Sequence, residues 1–259
     1  CLNVRGDYNT IESLIISDCL FGIDLKQASE NLVRDNRITS KPFSLGLRGD
    51  GLRLWYSMNN RIKNNEVIDS RDMVVWYSNG NVFSGNVGRR SRYSIHFMFA
   101  NDNEVVGNRF YGNTSVGGGA IFASSGGGSS NCEFSGNTAS FGGAVYGVGS
   151  FVSLTGSIFC GNQATNAGGA VFGDSSSVLT VYDCVLAGNT ANFGGAIASH
   201  NSGAYIELRN CTFAGNRADA DGGAVELDND QASTIVNGLF RDNTALGNGD
   251  SIAVTGGTL

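Results

Sequence analysis

The sequence predicts a right-handed parallel β-helix, an all-β solenoid of about ten short coils. An asparagine-centred motif recurs along the chain, apolar residues occupy a fixed position in each copy, and helical periodicity is nearly absent. Glycine occurs 38 times and Pro42 is the single proline, a composition that argues against collagen and against disorder. A repeat of about 22 residues suits short strands joined by tight turns, which is the organisation of a parallel β-helix.

The first half of the chain carries the shorter repeat. Its copies read NLVRDNRI at 31–38, NRIKNNEV at 60–67, NVFSGNV at 81–87 and NEVVGNRF at 103–110. The asparagines Asn65, Asn86 and Asn108 are 21 and 22 residues apart. The longer step from Asn36 to Asn65 predicts a loop insertion around residues 41–50.

A related, longer repeat occupies the second half. Phenylalanine or leucine stands three residues before each asparagine, and Gly-Gly-Ala follows. The asparagines Asn137, Asn162, Asn189 and Asn216 are spaced by 25, 27 and 27 residues. A fifth copy at Asn243 has lost its Gly-Gly-Ala, as expected of a terminal repeat. We therefore predict one continuous solenoid made of two segments, residues 1–116 and 117–259.

The repeat asparagines are predicted to form a structural ladder at the turns. Asparagine tolerates the left-handed backbone of tight turns, and amides about 4.8 Å apart can hydrogen-bond along a stack. The predicted ladder contains Asn36, Asn65, Asn86, Asn108, Asn137, Asn162, Asn189, Asn216 and Asn243. Cys132, Cys184 and Cys211 each precede a repeat asparagine by five residues, which favours a buried column of thiols over disulfides.

Composition and charge exclude several classes of function. Residues 1–116 hold 14 basic and 12 acidic side chains, whereas residues 117–259 hold 3 and 11. The densest basic spot, residues 89–92, is too small for a nucleic-acid site, and no stretch is apolar enough to span a membrane. The cysteines lack the spacing of a zinc site. Because the chain opens at Cys1 with no leader, we expect a mature or excised piece of a periplasmic or extracellular protein.

Residues 1 to about 116 resemble the NosD family of periplasmic maturation proteins of nitrous oxide reductase. The motifs that carry the resemblance are DCLFGID at 18–24, RGDGLRLWYS at 48–57, RDMVVWYS at 71–78 and RYSIHFMF at 92–99. The resemblance implies a partner of a membrane ABC transporter that helps to supply a copper enzyme, with copper as a possible ligand.

From about residue 110 onward the sequence resembles the repeats of polymorphic outer-membrane proteins, which are built on Phe-x-x-Asn and Gly-Gly-Ala-Ile. That resemblance implies a surface adhesin or a structural stalk, with a cell surface or a carbohydrate as partner. The fold inference is stronger than either functional one, because β-helices share the asparagine-turn pattern across many functions.

The candidate site lies in the first half. His96 and Met98 are two residues apart on a predicted strand and so share a face, where imidazole and thioether would suit Cu(I). Trp55 and Trp76 take the place of Met98 in the preceding coils, so a packing column is the alternative interpretation. Contact with a protein partner is predicted for Arg53, Trp55, Trp76 and Arg92.

No complete catalytic motif is present, so no catalytic residue is assigned and a non-enzymatic role is expected. Residues 61–63 imitate the Arg-x-Lys element of polygalacturonases without that family's other elements, which leaves a polysaccharide-binding or polysaccharide-active protein as the third alternative. Asp228 and Asp230 could hold a hard cation in an acidic turn, or could simply be solvated. His200, in a stretch rich in glycine and serine, is expected to be exposed.

Overall fold

The computed structural model describes residues 1–200, 204–228 and 233–255, and there the chain is a parallel β-helix. Three long sheets, named A, B and C, run along it, and each coil adds one parallel strand to each sheet. All three sheets continue from the first half of the chain into the second. The predicted all-β solenoid is confirmed.

The strand bounds follow the coils in order. In the described residues sheet A has eleven strands: Leu2–Val4, Ile23–Lys26, Leu52–Trp55, Asp72–Trp76, Tyr93–Met98, Ile121–Ala123, Val145–Val148, Val171–Asp174, Ile197–His200, Val225–Asp228 and Ile252–Thr255. Sheet B has ten there: Thr10–Glu12, Leu32–Arg34, Arg61–Lys63, Val82–Ser84, Glu104–Val106, Gly127–Ser130, Phe151–Thr155, Val178–Tyr182, Tyr205–Arg209 and Thr234–Val236.

Sheet C also has ten strands within the described ranges: Ile15–Cys19, Arg37–Ser40, Glu66–Ile68, Val87–Arg89, Arg109–Tyr111, Glu133–Ser135, Ile158–Cys160, Val185–Ala187, Thr212–Ala214 and Leu239–Arg241. A 3-10 turn, Leu45–Leu47, lies in the insertion that was predicted around residues 41–50.

The core lies between the three sheets. Side chains alternate in and out along each short strand, so one position per coil always faces the interior. Val33, Ile62, Phe83 and Val105 occupy such a position, pair in register and are buried. Further along, the buried rings of Phe134 and Phe159 stack with centroids 4.6 Å apart. The solenoid is therefore held together by apolar columns that run along its axis.

The asparagines stack at the corners in three columns, and the nine that the sequence placed in one ladder divide between two of them. Asn36, Asn65, Asn86 and Asn108 form the first, each side chain accepting from the asparagine before it. The second column consists of Asn113, Asn137, Asn162, Asn189, Asn216 and Asn243. A third column, at another corner, consists of Asn9, Asn31, Asn60, Asn81 and Asn103. Because several corners share the same turn chemistry, the single predicted ladder joined one corner to another between Asn108 and Asn137.

The predicted cysteine column continues the first asparagine column. The backbone N–H of Asn108 donates to the sulfur of Cys132 in the following coil. Ser157 takes the place of a cysteine in the coil after that, and its backbone N–H donates to the sulfur of Cys184. Cys132, Cys184 and Cys211 are buried free thiols, whereas Cys160 is an exposed one. A disulfide that the sequence did not predict joins Cys1 to Cys19, with Cα atoms 5.6 Å apart.

A fourth sheet, named D, is found in the second half. Its strands in the described residues are Thr138–Phe141, Gln163–Ala167, Thr190–Ala191, Arg217–Ala218 and Thr244–Ala245. Sheet D packs on the outward face of sheet A, where Phe141 contacts Tyr146 and Phe172 with ring centroids 6.2 and 5.0 Å apart. Sheet A is therefore covered in the second half.

Candidate functional site: a groove on sheet A

The predicted site residues meet on the outward face of sheet A, over the coils that precede sheet D. Arg53 pairs with Val74 and Val74 with His96, and Trp55 pairs with Trp76 and Trp76 with Met98. These form two adjacent columns of side chains. Because alternate strand residues face the core, both columns face away from it.

Three arginine–aspartate pairs line one side of these columns. Nε and Nη2 of Arg53 donate to the two oxygens of Asp24 at 2.8 and 2.7 Å. Arg71 donates from the same two atoms to Oδ1 of Asp50 at 3.0 and 2.8 Å.

The third pair joins Arg92 to Asp72, whose side chain is completely buried. The backbone N–H of Tyr93 also donates to this carboxylate. A bidentate arginine–carboxylate contact fixes the orientation of both side chains. The edge of the site is therefore rigid.

The pKa values of the two carboxylates that line the groove, Asp50 and Asp72, are shifted in opposite directions. Burial raises the pKa of Asp72, but His96 and the Arg92 guanidinium outweigh it, and the pKa lies below its usual value. Burial also raises the pKa of Asp50, and there the opposing effect of Arg71 is smaller. With each of the three carboxylates facing an arginine, the groove is close to charge-balanced.

Aromatic side chains form the other side of the groove. The rings of Trp55 and Trp76 meet edge to face with centroids 4.3 Å apart, and the buried Nε1 of Trp76 has no hydrogen-bond partner in the described part of the chain. At the adjoining corner Tyr56, Tyr77 and Phe99 form an exposed stack with spacings of 4.9 and 5.0 Å. Tryptophan and tyrosine at a protein surface are typical of binding sites.

Several of these side chains line a groove of about 300 Å³, which we call the arginine–tryptophan groove. Its lining is Phe21, Asp50, Arg53, Arg71, Asp72, Val74, Trp76, Arg92, His96 and Met98. Arg53 also packs over the ring of Phe21 at 4.2 Å. A concave site with several fixed polar groups among apolar walls can select a ligand or a side chain of a partner.

His96 and Met98 are the metal-ligand types in the groove. His96 Nδ1 lies 3.7 Å from Asp72 Oδ2, so Nε2 is the nitrogen available to a ligand, and a carboxylate behind an imidazole is common in metal sites. Imidazole nitrogen and thioether sulfur suit Cu(I). Among the described residues, no cluster of three histidine, cysteine or carboxylate donors lies in the groove.

The sequence identified the arginines and tryptophans but missed their aspartate partners. Asp24, Asp50 and Asp72 are separated by 26 and 22 residues, close to one coil, and that spacing was the signal available. Arg71 and Phe21 were also missed. The second histidine, His200, lies four strands further along sheet A and takes no part in the groove.

Comparison with protein-family models places this geometry in context. Residues 41–207, more than half of the chain, match the family described as periplasmic copper-binding protein (NosD). The chain belongs to the NosD family. Residues 210–226 match the Chlamydia polymorphic membrane protein repeat. The NosD match includes most of the groove and extends past residue 116 into the longer repeats. The two matches confirm both family resemblances that the sequence predicted.

Beyond the NosD family, the comparisons give little. No curated protein matches the chain. A solved structure titled as the Agl-KA catalytic domain aligns with 98% of the chain at a TM-score of 0.47 and 12% identity. The chain spans about half, 53%, of that structure's length, and the likeness supports no statement about activity. None of the helices in the described ranges is long and apolar enough to cross a membrane.

Proposed function

We propose that the chain is a non-enzymatic extracytoplasmic scaffold that presents a copper ion and docks on the copper enzyme that receives it. The observation that carries this proposal is the presence of His96 and Met98 in one outward groove, in register with Val74 and Trp76 of the preceding strand. Membership of the NosD family supports copper as the cargo. Both buried aspartates of the groove are held by arginines, which favours recognition over acid–base chemistry on a polysaccharide.

The proposed copper site uses two ligands from this chain. His96 Nε2 and Met98 Sδ would hold Cu(I), with Asp72 fixing the imidazole through Nδ1. A site with two protein ligands leaves coordination positions for the acceptor, as transfer between proteins requires.

Docking is assigned to the arginine and tryptophan side chains around these ligands. Arg53 and Arg92 are fixed by aspartates, so little conformational entropy is lost when they contact a partner. Trp55, Trp76 and the exposed Tyr77 supply apolar area beside them. The proposed partners are the copper enzyme and the membrane ABC transporter that the family resemblance implies.

The extracytoplasmic location has two supports. The NosD family is described as periplasmic. The Cys1–Cys19 disulfide is a bond that persists in oxidising compartments and is rare in the cytosol.

Copper binding can be followed by intrinsic fluorescence, because the chain has two tryptophans, of which Trp76 lines the groove and Trp55 contacts Trp76 edge to face. The titration uses Cu(I) on the full chain in a Cys160→Ser background, which removes the exposed thiol. We expect one equivalent to quench the fluorescence, and His96→Ala or Met98→Ala to abolish the quenching.

Met58→Ala is the matched control, since Met58 is an exposed methionine outside the groove lining. It should quench as the parent does. Equal quenching in the parent, His96→Ala and Met98→Ala would refute the copper assignment.

Docking is tested separately, by biolayer interferometry against the purified copper enzyme. Arg53→Ala and Trp55→Ala should each weaken binding at least about tenfold, as expected of central arginine and tryptophan contacts. Arg217→Ala, an exposed arginine on sheet D, is the control. Unchanged affinity in both groove variants would remove the docking role while leaving the copper result intact.

A surface stalk or adhesin is the second candidate function. The repeat match at residues 210–226 favours it, because that family is described as a polymorphic membrane protein. Cell-surface labelling of the native protein distinguishes the two proposals: exposure on intact cells favours the stalk, and release with the periplasmic fraction favours the copper scaffold.

A further inference from the structure

A second group of ligand-type side chains lies on sheet A, four strands beyond His96. His200 and Asp228 end the neighbouring strands Ile197–His200 and Val225–Asp228, and Glu226 stands two residues before Asp228. One donor atom from each of the three side chains lies within 4.8 Å of the other two. The sequence had expected His200 to be exposed, but its side chain is only 25% exposed.

Glu226 is an unusual residue for its position. The preceding coils place Tyr146, Phe172 and Ala198 in the same column, where they pack under sheet D. Glu226 puts a carboxylate there, and it is 3% exposed. This burial raises the pKa of Glu226. A buried carboxylate costs several kcal/mol unless a cation and hydrogen bonds compensate it.

The compensation from His200 is incomplete. Glu226 Oε2 lies 3.1 Å from His200 Nε2, an ion-pair distance when the imidazole is protonated, but the contact lacks hydrogen-bond geometry and no other donor reaches this buried oxygen within the described residues. Two atoms that each bind one metal ion at about 2.0–2.2 Å, at tetrahedral or octahedral angles, lie about 2.8–3.6 Å apart. The observed separation therefore matches two ligands of a shared ion.

Aromatic rings hold the imidazole in place. Phe172 and Phe193 contact His200 edge to face, with ring centroids 5.5 and 5.7 Å away. Asp228 is partly exposed and lies at the entrance. The arrangement thus has one fixed nitrogen, one buried oxygen without a hydrogen bond, and one carboxylate on the solvent side.

We propose that His200, Glu226 and Asp228 bind a divalent transition-metal ion of the zinc type. One imidazole with two carboxylates suits such an ion, whereas Ca²⁺ takes six to eight oxygen ligands and Cu(I) prefers sulfur. This site is separate from the arginine–tryptophan groove and does not depend on the function proposed for the groove. Asp230, which the sequence grouped with Asp228, lies outside the described residues.

The experiment is calorimetric titration of the full chain with Zn²⁺, in a Cys160→Ser background, together with thermal unfolding with and without the ion. The parent should bind one Zn²⁺ and unfold at a higher temperature in its presence. His200→Ala, Glu226→Gln and Asp228→Asn should each lower the affinity at least about tenfold and remove the thermal shift. Ca²⁺ in place of Zn²⁺ should give neither effect.

His96→Ala is the control, and it should bind Zn²⁺ as the parent does. Circular dichroism checks that each variant is folded. If the buried substitution Glu226→Gln prevents folding, Asp228→Asn at the partly exposed position decides the matter alone. The proposal is overturned if the parent gives no thermal shift, or if Asp228→Asn binds Zn²⁺ with unchanged affinity.

Discussion

Replacing Asn162 by alanine tests whether the stacked amides hold the coils together. Asn162 is fully buried. Its Nδ2 donates to the Phe134 carbonyl at 3.0 Å and to Asn189 Oδ1 at 3.0 Å. Its Oδ1 accepts from the backbone N–H of Asn137 at 3.1 Å and from that residue's Nδ2 at 2.9 Å. Alanine removes all four hydrogen bonds.

The expected loss follows from these contacts. Four bonds at a net value of about 1 kcal/mol each give a decrease of about 4 kcal/mol in the free energy of unfolding. The Phe134 carbonyl and the Asn137 N–H have no water to replace the lost partner, since Asn162 is enclosed by neighbouring coils. An unpaired buried group costs about 1–3 kcal/mol, so the loss is not expected to be much smaller.

Urea unfolding followed by far-ultraviolet circular dichroism measures the change, with the slope of the transition checked for partial unfolding of the array. Asn166→Ala is the matched control: it lies in the same coil, it is exposed, and its side chain makes no hydrogen bond within the described residues. If the two variants differ by less than about 1 kcal/mol, the ladder does not contribute what its geometry implies.

Three further predictions concern the turns, the groove and the thiols. A Cβ on Gly195 would lie 2.2 Å from the Gly223 carbonyl oxygen, so Gly195→Ala should lower the unfolding midpoint, while Gly46→Ala, with nothing within 4 Å, should not. The lowered pKa of Asp72 stabilises the fold above the pKa of an unfolded aspartate, about 3.9, and this stabilisation is lost as the pH falls through the folded-state pKa. Urea midpoints at pH 6 and pH 3 should therefore differ less in Asp72→Asn than in the parent. Among the four free thiols, Cys160 alone should react with a thiol reagent in the folded protein, and all four should react in urea; fast reaction of more than one in the folded protein would contradict the buried column.

The fold and the groove columns could be predicted because a nearly constant coil length makes equivalent residues of successive coils neighbours in the structure. Once a coil is about 22 residues long, equal positions in neighbouring coils must stack, which placed Trp55, Trp76 and Met98 together. The aspartates do not follow this rule, because they occupy different positions of their coils: Asp24 is in register with Arg53, and Asp72 with Tyr93. Their role also depends on which arginine each one meets, and that is a property of corner geometry.

The asparagine ladder shows a different limit. Asn108 and Asn113 both follow a glycine with positive φ, and they lie five residues apart at two corners of one coil. Identical turn chemistry at two corners gives identical motifs, so a repeat search cannot tell them apart. The hydrogen bonds distinguish the two corners, because Asn108 donates to Cys132 in the next coil, whereas Asn113 donates to Asn137. The partial burial of His200 was not predicted for a related reason. It depends on contact with Phe193, and no repeat motif in the sequence indicates that these two residues are neighbours.

The change of repeat near residue 114 has a structural meaning that bears on function. It coincides with the first contacts of sheet D, through the bridges of Thr114 to Thr138 and Gly117 to Phe141. Before that point the outward face of sheet A is open and holds the arginine–tryptophan groove; after it, the same face lies under sheet D and becomes a second apolar core. Coils of about 27 residues have about five residues more than coils of about 22, and these extra residues account for the strands of sheet D that cover sheet A. A partner of the groove can therefore reach sheet A over the coils that sheet D leaves uncovered.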